Sequence, residues 1–276
     1  MSAAPHALPA LRLLGVAAWI DGLPGWDAVR AFARGEAGLV EGAPRKPAPA
    51  LLAPNERRRA PDSVALALEV AMAACTDAGR DPAALPSVFA STHGDLAITD
   101  AMCRTLAEAP LEVSPTRFHN SVHNAAAGYW TIGAGCHAAA TAISAYDATL
   151  AQGLLEAATL LASGEDAVLL VAFDVASTGP LGSVSCSTGL LGAAFVLVRD
   201  GDGDHAGAPR LRLALVDGEA APDASPLQAH IGGNAMAPAL PLLSALARGD
   251  ALARLIAGEG RVLEVAIEAA EGAAHG

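Results

Sequence analysis

Residues Phe118–Asp174 read FHNSVHNAAAGYWTIGAGCHAAATAISAYDATLAQGLLEAATLLASGEDAVLLVAFD, and the order of textures along them decides the fold. An Asn-Ala-Ala-Ala-Gly turn at Asn124–Gly128 opens a short helix. A small-residue strand follows at His137–Ala145, then a helix beginning near Asp147, then a second strand at Ala167–Phe173. A strand–turn–helix elbow of this kind presents a side chain at a helix N-terminus, where the dipole and free N–H groups favour a thiolate and a developing oxyanion. Here the elbow is Ser144-Ala145-Tyr146-Asp147, so the group presented is a phenol. With a pKa near ~10 it is a poor acyl-transfer nucleophile, and its ring is expected to fill the space an acyl chain would need.

Working outward, Leu11–Ile20 reads as a first strand ending at Asp21-Gly22, and Trp26–Arg34 as a short helix stopped by Gly35. Gly42–Pro54 is a Pro- and Ala-rich loop, and Arg57–Arg59 a solvated basic turn. Pro61-Asp62-Ser63 offers an N-cap and an acidic first turn to a helix with Val64, Leu68, Met72 and Cys75 on one face. Ser87–Ser91 is a strand, His93-Gly94-Asp95 a turn with local side-chain hydrogen bonds, and Ile98–Ala109 a helix. Beyond the elbow, Gly192–Val198 and Leu211–Val216 read as strands, Ala235–Arg248 as a helix with two prolines near its start, and Val262–Ile267 as a final strand. Strands alternating with helices predict an α/β fold, with a mixed or mainly parallel sheet flanked by helices.

The bulk properties narrow the function classes. The 276 residues suffice for one large domain or two small ones, with ample core. A net charge of −12 argues against nucleic acid and anionic membrane surfaces as partners. The longest uncharged run, Val175–Val198, is broken by Gly179-Pro180, Gly182 and Gly189, so no membrane span is expected. No signal peptide is read at the N-terminus, and a cytoplasmic location is expected. The four cysteines (Cys75, Cys103, Cys136, Cys186) form no CxxC pair. A composition 53% hydrophobic and a mean hydropathy of +0.38 suggest apolar surface reserved for a partner.

ERRRAPDSVALALEVA (56–71), SVFASTHGD (87–95), SPTRFHNSVHNAAAGYW (114–130), ISAYDATLAQGLLEAA (143–158) and GLLGAAFVLV (189–198) together resemble the β-ketoacyl synthase family of the thiolase superfamily. The likeness is specifically to its short chain-length-factor branch, associated with aryl-polyene and xanthomonadin-type pigment biosynthesis. The resemblance implies a thiolase-like fold. Residues 10–200 would form a ketosynthase-like N-terminal domain, and residues 201–276 an abbreviated C-terminal extension packing on it. It also places Tyr146 where an active family member carries its Cys. One of the two catalytic His motifs survives only as a remnant, Ala229-His230-Ile231-Gly232-Gly233-Asn234, and the other has no counterpart. The resemblance therefore implies a catalytically silent subunit with no catalytic residue and no cofactor. It would form a heterodimer with an active ketosynthase, meet acyl carrier protein only indirectly, and shape the partner's acyl tunnel. The implied tunnel and interface residues are Phe118, His119, His123, Tyr129, Trp130, His137, Thr141, Ser144 and Tyr146, with the strand His137–Ala145 as the pairing edge.

Rival chemistries are weaker on the residues. His119-x-x-x-His123 has metal-site spacing if helical, with His137 or Cys136 to complete it. However, the residue beside the first His is Asn120 and not Glu, and hydrogen-bonded histidines are the plainer account. Cys136, with His123 or His137 as base, would make a residual acyl-thioester hydrolase or acyltransferase, as would His230. Cys136 precedes the strand, though, and so lacks a helix N-terminus to lower its pKa. Ser144 lacks the G-x-S-x-G signature. A homodimeric scaffold is the third alternative.

Overall fold

The computed structural model describes residues 8–203, 205–220 and 224–270; the end of the 201–276 segment, from residue 271, lies outside them. The elements in chain order are β1 (Leu11–Ile20), β2 (Leu23–Pro24), α1 (Trp26–Ala33), α2 (Pro54–Arg59), α3 (Asp62–Asp77), β3 (Ser87–Ala90), α4 (Leu96–Glu108), α5 (Pro115–Ser121) and α6 (Ala125–Gly133). Then follow β4 (Ala140–Ile143), α7 (Thr149–Ala162), β5 (Val168–Asp174), α8 (Gly179–Val184), β6 (Leu191–Arg199), β7 (Arg210–Asp217), α9 (Pro226–Ile231), α10 (Leu240–Arg248), β8 (Leu252–Gly258) and β9 (Arg261–Glu268).

The strands form a mixed α/β sheet ordered β4-β3-β5-β6-β1-β7-β9-β8, with β2 paired to β1. β5 is buried along its whole length and β6 up to Arg199, as expected of apolar runs covered on both faces. Only β3 pairs in parallel, with β4 and β5; every other ladder is antiparallel. The sheet is thus mixed but not mainly parallel, because β5 returns to β6 through the short α8 segment without a long crossover.

α3 and α6 cover one face, with Phe89, Trp130 and Phe173 in the core between. Gly15 lets α3 approach β1 closely, since a Cβ there would strike the Ala74 carbonyl and Ala78. On the other face, Gly153 brings α7 onto the sheet: a Cβ would lie 2.8 Å from the Leu170 side chain. β1 and β7 share only two rungs, Leu11↔Leu211 and Arg12↔Arg210, whereas β1 and β6 run together from end to end. Past this junction the sheet turns, and β8 comes back against α7, where the Gln152 side-chain amide donates to the Ala257 carbonyl at 2.9 Å. α7 is therefore covered by the central sheet on one side and by the C-terminal strands on the other. Asp200 ties the junction, accepting from Arg12 Nε and lying in an ion pair with Arg210, at 2.7 Å each.

Several boundaries depart from the sequence reading. The strand read over His137–Ala145 is only Ala140–Ile143, because its partner β3 is itself four residues long. Arg57–Arg59 close a helical turn, with the Arg57 guanidinium donating to Leu52 O at 2.9 Å. The helix read from Ala235 begins at Leu240, with Pro238 in a 3-10 turn and Pro241 in the first turn, where a missing N–H does no harm. α8, α9 and β8 were not foreseen. No helix among the described residues is long and apolar enough to cross a membrane.

The N-cap expected of Ser63 or Asp62 is also absent: Pro61 holds that position and makes no side-chain cap. Asp62 instead pairs with Lys46, and the Ser63 hydroxyl donates to Asp95 Oδ2 at 2.8 Å. Asp95 Oδ1 in turn accepts from Ile98 N at 3.0 Å, capping α4. Asp95→Ala is expected to cost about 1–3 kcal/mol in a denaturant titration, because a cap and a buried hydroxyl lose their acceptor together. A change within a few tenths of a kcal/mol would show that water takes over both.

Candidate functional site: the elbow before α7

β4 ends at Ile143 and the chain turns through Ser144-Ala145 into a 3-10 turn, Tyr146–Ala148, that leads into α7. Tyr146 takes φ +53°, the one non-glycine residue with positive φ among those described. An L-residue held there gives up roughly 1–2 kcal/mol. The buried Thr149 hydroxyl spans the turn, accepting from Ala145 N at 3.0 Å and donating to Tyr146 O at 2.5 Å. The Ser144 hydroxyl donates to Thr92 O at 3.0 Å, and the Thr92 and Thr149 hydroxyl oxygens are 3.4 Å apart.

Below the turn lies Asp174, wholly buried at the end of β5. Its carboxylate accepts from Ser91 Oγ (2.8 Å), Thr92 N (2.9 Å) and His93 N (3.2 Å). Burial pushes its pKa up, against the pull of these donors. Asn234, from the remnant Gly232-Gly233-Asn234, donates to Asp174 O at 3.2 Å and Thr188 O at 2.8 Å. Elbow, β3–α4 turn and remnant loop are thereby one bonded unit.

The Tyr146 ring does not fill a pocket of its own chain. It is 67% exposed, on a left-handed backbone. A cavity of about 490 Å³ remains beside Asp147, lined also by Cys186, Gln228, Gly232, Asn234, Arg254 and Ile256. Most of that wall comes from the C-terminal segment.

The other singled-out residues are distributed as follows. Phe118 is exposed on α5, and His119 packs edge-on to Tyr129 with ring centroids 5.6 Å apart. The Tyr129 hydroxyl donates to Asn120 at 3.1 Å. α5 stops at Ser121, so His119 and His123 do not share a helix face; His123 Nε2 lies 2.7 Å from Ser91 O. Trp130 is fully enclosed beside Phe89. His137 is exposed, and Thr141 sits half-buried on β4 opposite Val88. Cys136 is 4% exposed, with its thiol 3.4 Å from Leu85 O, and burial pushes the neighbouring Cys75 thiol up to about 12. His230 Nε2 is 2.7 Å from Asp21 O and packs on Phe32. Among the described residues no group of three His, Cys, Asp or Glu is placed to hold a metal ion.

Thr149, Asp174 and Asn234 were missed as site residues. The one available signal was a carboxylate closing the apolar run VLLVAFD.

β4 is the outer strand of the sheet. Ala139 O and Ile143 O accept from Ser87 N and Ser91 N, so alternation turns the polar backbone groups of Ala140 and Ala142 away from β3. Among the exposed large apolar side chains are Ile132, on the α6 helix that packs against β4, and Tyr146, in the turn that leaves β4.

The family model for the β-ketoacyl synthase N-terminal domain matches residues 31–213. No curated protein sequence matches the chain. Among solved structures, one similar chain comes from the ketosynthase ApeO in complex with its chain length factor ApeC from Xenorhabdus doucetiae. It is 22% identical with a TM-score of 0.72, over 93% of this chain and 99% of that one. Another comes from AntDE:AntF, a type II PKS acyl-carrier protein in complex with its ketosynthase bound to the hexaketide. It is 14% identical with a TM-score of 0.70, over 95% and 99%. A third is from the ishigamide ketosynthase/chain length factor, 15% identical with a TM-score of 0.67, over 95% and 100%. At these identities the likeness establishes the fold, which is thiolase-like.

Proposed function

This chain belongs to the β-ketoacyl synthase family, and we propose that within it the chain is a catalytically silent, chain-length-factor-like subunit. It pairs with an active ketosynthase through the open β4 edge and helps to shape that partner's acyl tunnel, in aryl-polyene-type biosynthesis. Acyl carrier protein meets the complex through the partner. The observation that carries the reading is Tyr146: a bulky phenol in the left-handed elbow position, exposed, and with no hydrogen-bond partner for its hydroxyl among the described residues. The exposed Ile132 on α6 and Tyr146 just past β4 suit a protein surface that is covered in use. On this reading residues 10–200 are the ketosynthase-like half and residues 201–276 an extension packed upon it. The two-rung β1–β7 junction and the Gln152–Ala257 bond support that division.

Residual thioester chemistry on this chain finds less support, since Cys136 is enclosed and His230 is engaged with Asp21 O. Tyr146→Cys is accordingly expected to leave the isolated chain without condensation, because the His of the one remnant motif, His230, is bonded to Asp21 O. Carbon dioxide release from a malonyl carrier above that of the parent chain would contradict this.

The decisive experiment is co-purification of a tagged copy with the ketosynthase encoded beside it, followed by mass determination. A one-to-one heterodimer is expected. A solitary monomer, or a homodimer indifferent to the ketosynthase, would overturn the proposal.

A further inference from the structure

The Tyr146 backbone is held in an unfavourable conformation, yet its ring gains nothing from its own chain. It is two-thirds exposed, and among the described residues its hydroxyl has no hydrogen-bond partner. Strain of this kind persists only where the surroundings over-determine it, and it collects at sites that act on something else. The group that over-determines it is Thr149. Its side chain is 1% exposed, and its hydroxyl is used on both sides of the turn, as acceptor from Ala145 N and donor to Tyr146 O. This is not an ordinary helix cap, because the bonded amide lies four residues before Thr149 and outside α7. The clamp is itself anchored: Thr92, within 3.4 Å of the Thr149 hydroxyl, donates its amide to the buried Asp174 carboxylate.

We propose that Thr149 is the positioning residue that presents the Tyr146 ring, and that the fixed ring is a contact made on the ketosynthase partner. The second half rests on the pairing proposed above; the first does not. Valine keeps the shape of threonine and removes the hydroxyl, whereas serine keeps the hydroxyl. In the isolated chain, Thr149→Val is expected to speed amide hydrogen exchange across residues 144–149 by about tenfold or more, while Thr149→Ser stays within about twofold of the parent. Equal exchange in the parent and both variants would overturn the clamp.

With the ketosynthase present, Thr149→Val and Tyr146→Ala are each expected to weaken association about tenfold, and the double variant no further than Tyr146→Ala alone. Thr149→Ser should restore the parent affinity. Weakening by Tyr146→Ala alone, or additive losses in the double variant, would refute positioning while leaving the pairing intact. Failure of the parent chain to pair would refute the partner contact, and the exchange experiment would still decide the clamp.

Discussion

Asp174→Ala is expected to be the most destabilising single change in the protein, lowering stability by about 3–5 kcal/mol in urea unfolding. Three donors (Ser91 Oγ, Thr92 N and His93 N) converge on this one buried carboxylate. Each would be left without an acceptor, at roughly 1–3 kcal/mol apiece, partly offset because a charge need no longer be buried. Asp174→Asn should recover only part of the loss, since its amide nitrogen would face donors that need an acceptor. The sign of the pH dependence follows from burial, which raises the carboxyl pKa in the folded protein. The folded state then holds the proton more tightly than the unfolded chain does. The contribution of Asp174 is thus most favourable below the ordinary carboxylate value, and it is lost as pH rises from there through the raised one. The Asp174→Ala variant should lack this component. A parent and variant whose stabilities run parallel with pH across that window would show that Asp174 does not titrate there.

Ala142→Pro should separate pairing from folding. Ala142 lies on the outermost strand, with its N–H turned away from β3, so proline removes a donor that the isolated chain does not use. The melting midpoint is expected to move little. Association with the ketosynthase is expected to fall more than about a hundredfold, because a sheet continued across two subunits needs that donor. Ala140→Pro should behave similarly. If the Ala142→Pro protein is folded and pairs as tightly as the parent, the subunits do not join through β4.

What the sequence revealed tracks how local each determinant is. β1 was read to the residue, because LRLLGVAAWI is apolar apart from Arg12 and stops at an Asp-Gly turn. α3, β5 and β6 were readable from apolar periodicity and unbroken apolar runs. β8 was missed although Ala253, Leu255 and Ala257 alternate inward, because Arg254 and two glycine-containing flanks mask a strand that only α7 and β9 complete. The elbow as strand, turn and helix was readable; the outward ring of Tyr146 was not. Ring direction follows from φ, and φ follows from a hydroxyl tied to Thr92 and thence to Asp174, 82 residues away from it in sequence. Bonds of that span leave no periodic trace.

The covering of α7 by β8 also orders events in time. Gln152 and Ala257, joined by a hydrogen bond, are 105 positions apart, so on the ribosome the elbow helix emerges long before the strands that roof it. At ~5–20 residues per second, α7 spends about 5–20 seconds with one apolar side bare. During that interval a nascent chain carries both an open strand edge and an uncovered helix. The ketosynthase, if already folded nearby, would be competing with misassembly for the first of these while the second is still waiting for its own chain.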